Sequence, residues 1–323
     1  MERVRKLLWE LSMMKVSFLR NRKKISPLQM NRAEKVFHYL VLLLPLAQFA
    51  IFYVAVNLNT VLLSFKQYLP DGSFNIVWFE NIGRVLQDFV KEPRLYYGLK
   101  NSLLYFVCFL VFGVTLSLFF SYYIFKKFPF ANTFKIFLFL PQVISSIIMV
   151  LIYRFAVSNL IPTLMNKLFG MEMQGLLDNG NTVLGAVIFY NLWVGFGSNI
   201  LLYVGAMNNV SESCLEAAKI DGAGFFREFF FIVFPQIFAT FTTLILMALA
   251  SIFTWQLELY SFWGKGAEVE MYTVGYYMYI ETLSSSMVNK PYLAAMGLTI
   301  TLVIAPISLL VKWAMEKFGP SVN

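Results

Sequence analysis

The sequence predicts an all-α polytopic membrane protein with six transmembrane helices. Three observations point there. The chain is 59% hydrophobic and only 14% charged over 323 residues, too few charges to cover a soluble protein of that size. Six apolar runs are long enough to cross a hydrocarbon core, which takes about 20 residues of helix. Finally, the Lys and Arg residues are distributed unequally between the segments that alternate across those runs.

The predicted spans are 37–64, 101–125, 135–157, 183–207, 236–256 and 292–314. Their central parts carry no Asp, Glu, Lys or Arg; Arg154 lies near one end of the third, where its long stem can reach the interface. Residues 1–35 hold Arg3, Arg5, Lys6, Lys15, Arg20, Arg22, Lys23, Lys24, Arg32 and Lys35. A basic segment beside a span reads as a cytoplasmic tail against anionic lipid rather than as a nucleic-acid site. It is also too long a leader for a cleaved signal peptide. With the N-terminus inside, the tail, the turn carrying Lys126, Lys127 and Lys135, the 208–235 loop and the C-terminus face the cytoplasm. These segments hold 17 of the 26 basic residues.

On the opposite side, Phe79, Ile82, Val85, Leu86, Phe89 and Val90 recur at helical spacing within 77–90. In 160–170, Pro162 suits a helix start and Gly170 a helix end. Both segments read as short helices on the outer membrane surface, either packing against the spans or meeting a partner. Cys108 and Cys214 are far apart and propose neither a disulfide nor a zinc site, and His38 is the single histidine. With no H-E-x-x-H, no G-x-S-x-G and no carboxylate pair in the spans, no catalytic constellation presents itself. A secondary transporter commonly keeps an ionisable residue at mid-membrane, and none is found here.

The polar interruption LEAAKIDGAGFFREFFFIVFP (215–235) carries five charged residues between two apolar runs. ESCLEAAKID (212–221) favours helix, and Gly222 follows where a left-handed turn can end it. A second helical run, FFREFFFIVF (225–234), leads into Pro235 and the next span, so two helices joined at Ala223-Gly224 are expected. Ala217 and Ala218 would leave the first helix a small-residue face able to enter a cleft on another protein, with Glu216 and Asp221 at the rim.

This loop resembles the signature E-A-A-x3-G-x9-I-x-L-P of importer permeases of the ABC superfamily. Glu216, Ala217, Ala218, Gly222, Ile232 and Pro235 stand at its positions, and Phe234 replaces the leucine. The wording EAAKIDGAG, together with NLWVGFGSNILLYVGAMNNV (191–210) and FLFLPQVISS (137–146), is similar to the carbohydrate-uptake branch, the maltose and glycerol-phosphate types. The resemblance covers roughly 37–314 and implies a type I importer permease, five core helices plus an N-terminal one. It also implies a second permease subunit, two ATP-binding subunits and an extracellular solute-binding protein.

By the same resemblance the loop is a coupling element docked on the ATPase through Glu216, Ala217, Ala218, Asp221 and Gly222, with Ile232 and Pro235 carrying its motion onward. ATP and magnesium belong to those partners, since the chain has no G-x4-G-K-[ST] loop. Ungapped counting from the maltose-type pattern places candidate solute contacts at Gln142 and Ser146 in the third span. It adds Asn191, Val194, Gly195 and Ser198 in the fourth, and Ser251, Ile252 and Trp255 in the fifth. Amides, hydroxyls and an indole suit a carbohydrate, although the same groups can also bond neighbouring helices. A carbohydrate, an oligosaccharide in particular, is the expected solute; another solute class on the same architecture is the alternative. The expected location is the bacterial plasma membrane.

Overall fold

The computed structural model describes residues 31–284 and 286–320. Among them, six helices are long and apolar enough to cross a membrane. The chain divides into two units at Thr60/Val61. Within the first, a helix starts at Arg32 because the Asn31 N–H donates to Glu34 Oε2 at 3.1 Å, which satisfies one free donor of the first turn. The expected tail 1–35 therefore ends in helix at its last four residues, and its first thirty lie outside the described residues. This helix is α1, and its candidate membrane span is Glu34–Ser64.

In the second unit, an antiparallel hairpin of β1 (Lys66–Tyr68) and β2 (Phe74–Ile76) leads into α2 (Glu80–Lys91), where the sequence placed an amphipathic helix. Val85 of α2 is fully buried, while Leu86 and Val90 are exposed. Next comes α3 (Pro93–Phe125), with a proline at its start, where the missing N–H costs nothing. A tight turn with left-handed residues at Lys127 and Phe130 reverses the chain into α4 (Ala131–Val143).

The expected third span, 135–157, is not one helix. It breaks at Ile144, which is extended, and Ser145, which is non-helical, and restarts as α5 (Ser146–Phe169). Pro141 withholds one backbone donor from the last turn of α4, and two serines follow at a helix-starting position. Nor does Pro162 start a separate helix. The turn before it, Ala156–Leu160, is wound wider than an α-helix, which accommodates the proline ring and lets α5 run through. Gly170 ends α5 in a left-handed conformation, φ 67°, as its spacing predicted. Arg154 consequently lies inside the helix, not near an end. Its Nη1 donates to the Phe262 carbonyl at 2.8 Å, in the last turn of a short helix, where carbonyls favour a cation.

The long helix α6 (Gly180–Met207) is the hub of the unit, packed against α3 and α4. Asn179 caps its start by accepting the Asn181 N–H at 3.0 Å. Its contact with α4 depends on Gly197, where a Cβ would stand 2.8 Å from the Leu138 carbonyl oxygen and 3.0 Å from Phe139 Cα. Gly197→Ala is expected to force the two helices apart and cost about 1–3 kcal/mol, read as a lower melting temperature in detergent.

Beyond α6 come α7 (Glu212–Ile220) and α8 (Phe225–Ser251). The fifth span was expected to reach 256, but the helix ends at Ser251; Thr254 and Trp255 N–H groups both turn back onto its carbonyl. Short helices α9 (Leu259–Trp263) and α10 (Val274–Ser284) follow, then α11 (Met287–Phe318). Among the described residues of the second unit, two of the four buried clusters are the largest. One joins Val85, Leu95, Tyr105, Val187, Leu259, Tyr276 and Met296. The other joins Leu118, Tyr122, Tyr203, Met207, Phe229 and Ile237 and carries the 208–235 loop.

Candidate functional site: the 208–235 loop and the polar positions of the bundle

The loop is built from local rules. Helix α7 ends because Gly222 takes φ +70°, and its N–H closes onto the Lys219 carbonyl at 3.1 Å while Ala223 N–H reaches Ala218 at 2.9 Å. Gly224 is extended, and α8 starts at Phe225. From there the helix is continuous through Ile232 and Pro235 to Ser251. Pro235 is tolerated because residues 229–233 are again wound wide, and the Gln236 side chain donates to the Ile232 carbonyl at 3.1 Å.

The structure corrects the expected small-residue face. Glu216, Ala217, Asp221 and Gly222 are exposed, but Ala218 is buried, 3% accessible, against its own chain. Ala218 seats the helix; Ala217 presents it. Ile220 went unnoticed in the sequence. It is 86% exposed, the most exposed large apolar side chain among the described residues. An apolar residue two positions before a left-handed glycine in a polar loop is the signal that could have found it. Glu228 was missed too. It is 3% accessible, with Lys126 Nζ at 2.8 and 2.9 Å from its two oxygens and Tyr122 Oη donating to Oε1 at 2.9 Å.

The polar positions proposed for the solute divide into two groups. Gln142, Asn191 and Ser198 are engaged within the bundle. Gln142 Nε2 donates to the Val194 carbonyl at 2.9 Å and its Oε1 accepts from the Ser198 hydroxyl, which ties α4 to α6. Asn191 Nδ2 donates to Val187 at 2.9 Å and to the Leu257 carbonyl at 3.0 Å. That second bond clamps a turn in which Leu257 and Glu258 are both left-handed, φ 50° and 54°. Ser146 is exposed, and a Cβ on Gly195 would meet nothing within 4 Å. Ser251 is half-buried at the end of α8, while Ile252 is buried and belongs to the packing. Trp255 lies in the turn beyond α8, not in a span, with its ring edge-on to Tyr105 at 4.9 Å and tilted to Phe109 at 5.5 Å.

A helical bundle with a short exposed helix inserted between two long apolar ones matches a known family. Residues 113–323 fit the profile described as "Binding-protein-dependent transport system inner membrane component". That stretch includes the C-terminal part of α3, from residue 113, and everything after it, the loop with it. The chain belongs to this family.

The permease is 26% identical over 268 residues to the arabinooligosaccharides transport system permease protein AraP of Bacillus subtilis, covering 81% of this chain and 83% of that one. It is 26% identical over 288 residues to the probable ABC transporter permease protein YurN of the same species, covering 85% and 94%. It is also similar to the multiple sugar-binding transport system permease protein MsmF of Streptococcus mutans, at 25% over 187 residues, 57% of this chain and 63% of that one. Among solved structures, a chain of the bacterial alginate ABC transporter in complex with an alginate pentasaccharide-bound periplasmic protein superposes with a TM-score of 0.74. It covers 90% of the permease and 98% of that chain at 18% identity, so the likeness is one of fold. Together with the six apolar helices, family membership makes this a multi-pass inner-membrane protein.

Proposed function

We propose that this permease forms half of the translocation pathway of an ATP-driven, binding-protein-dependent importer of an oligosaccharide. The observation that carries the coupling half of this reading is the geometry of α7. It is a nine-residue helix that presents Glu216, Ala217 and Ile220 outward, seats Ala218 inward and runs through one turn into a continuous membrane helix. Such an element can dock in a groove of an ATP-binding subunit and pass rigid-body motion to α8. The carbohydrate half rests on the relatives, which include permeases for arabinooligosaccharides and multiple sugars.

In this reading the N- and C-termini and the 208–235 loop are cytoplasmic. A second permease completes the pathway, two partner subunits bind ATP with magnesium, and an extracellular binding protein delivers the solute. This chain does no catalysis. Gln142, Asn191 and Ser198 act mainly by holding helices in register, because each already donates a hydrogen bond within the bundle. Ser146, Gly195 and Ser251 are the positions left to face a solute, with Trp255 supplying a ring four residues after Ser251, its N–H on the Ser251 carbonyl at 3.1 Å.

Gentle detergent extraction from the native host, followed by mass spectrometry of what co-purifies, tests this. The expected result is one further six-span permease and a pair of ATP-binding subunits in equal amounts. A chain that comes alone, or with a single soluble enzyme, would rule the reading out. Proteoliposomes holding that assembly and its binding protein should take up radiolabelled arabinotriose or another oligosaccharide in competition assays. Uptake of an amino acid or peptide instead would change the solute class and leave the architecture standing.

A further inference from the structure

Among the described residues, Glu228 is the one buried charged side chain. A carboxylate kept from water costs several kcal/mol unless it is paired and hydrogen-bonded, and here two side chains supply that pairing through three contacts. Lys126 Nζ reaches both oxygens at 2.8 and 2.9 Å, and Tyr122 Oη donates to Oε1 at 2.9 Å. Rings close over the cluster: Tyr122 lies 4.7 Å from Phe225 and 4.9 Å from Phe229. The partners come from segments about 100 residues apart.

Their placement is specific. Lys126 is the residue that closes α3, its N–H on the Tyr122 carbonyl, so its cation meets the negative end of that helix. Glu228 sits in the first turn of α8, where an anion meets the positive end. The ion pair therefore joins two helix termini with the polarity each prefers. The 208–235 loop is covalently continuous with α6 and α8 but not with α3. Immediately after Lys126, left-handed residues at 127 and 130 turn the chain into α4, so a hold on Lys126 is a hold on the α3–α4 corner.

We propose that Glu228, Lys126 and Tyr122 are positioning residues that lock the returning limb of the loop to the α3–α4 corner, so that loop, corner and α8 move as one body when the ATP-binding subunits close. This deepens the coupling reading given above and rests on it. A buried pair of this kind sets geometry more than it adds stability. Its function is to recruit into the movement a helix to which the loop is not attached.

The test uses the complete importer in proteoliposomes, with Cys108→Ser and spin labels at the exposed native Cys214 of α7 and at Phe130→Cys, an exposed corner position. Distances are measured by electron–electron resonance before and after trapping with ADP and beryllium fluoride. With the lock intact, the 130–214 distance keeps its mean and width through trapping. Glu228→Gln removes the charge, and it is expected to widen the distribution about twofold on trapping. Tyr122→Phe keeps every ring contact and deletes one hydrogen bond to the carboxylate, so it carries the test if Glu228→Gln does not assemble. Lys126→Arg, which keeps the cation opposite an intact Glu228, should retain native behaviour. A native distance that shifts on trapping, or Glu228→Gln and Tyr122→Phe distributions as narrow as the native one, would overturn the lock. If the ATP-binding subunits fail to co-purify with the native chain, the coupling reading falls and the lock with it. If they co-purify and the distance moves, only the lock falls.

Discussion

Ile220→Asp is expected to strip the ATP-binding subunits from the permease while leaving the second permease in place. The side chain is 86% exposed, so its replacement removes no internal contact and the bundle should insert and fold as before. Buried in a partner's groove, an isoleucine contributes about 1.5–3 kcal/mol relative to exposure, which corresponds to roughly ten- to a hundredfold in affinity. An aspartate there would also place a negative charge at the carbonyl end of α7, which that end disfavours. Quantifying ATP-binding subunit per permease pair after purification reads the effect, and Ile220→Leu should leave the ratio unchanged. The double variant Glu216→Lys with Gly222→Pro should act in the same direction by altering the rim charge and a turn that needs φ +70°. An unaltered ratio in Ile220→Asp would place the anchoring contact elsewhere on the loop.

Gly275→Val is expected to have the largest effect on folding. A Cβ there would lie 2.5 Å from the Thr254 carbonyl carbon and oxygen and 2.6 Å from the Trp255 carbonyl oxygen. These are backbone atoms, and they have little room to yield. Thr273 Oγ1 donates to the Trp255 carbonyl at 2.8 Å, and Asn191 holds the neighbouring Leu257 carbonyl. Overpacking at a site this constrained costs about 3 kcal/mol or more, so sharply reduced yield and an earlier thermal transition in detergent are expected. Gly185→Ala gives the contrast. It lies in α6 with nothing within 4 Å of its Cβ position, and relief of the glycine penalty should stabilise the helix by up to about 1 kcal/mol. Equal melting temperatures for the two variants would show that the 252–258 turn is looser than its hydrogen bonds indicate.

These two sites differ in how far the sequence exposes them. The α7–Gly222–α8 hairpin is local: a helical stretch, a glycine in the one position that needs φ > 0, and a proline after a second helical run. Every one of those features acts within a few residues, so each could be read in order along the chain. The turn at 252–258 is different. Span-length reasoning carries α8 on to 256 because the residues remain largely apolar. The helix stops at Ser251 because Asn191 and Thr273 bind the carbonyls of Leu257 and Trp255, and those partners are 66 and 18 residues distant.

The same division separates the rest of the molecule. Hydropathy, Lys/Arg bias, helix ends at Gly170 and Gly222 and the Glu-Ala-Ala spacing were determined by the sequence alone, since burial in lipid and backbone geometry at single residues act locally. Tertiary structure alone decided which polar groups remain free. Gln142, Asn191 and Ser198 look equally available along the chain, yet each is engaged within the bundle, two of them between α4 and α6. It also decided that Ala218 faces inward beside an exposed Ala217 and that Glu228, one charge in a run of phenylalanines, is buried against Lys126. The physical reason is that a polar group's role depends on whether another segment supplies its hydrogen-bond partner. That is settled only when helices distant in the chain are packed together.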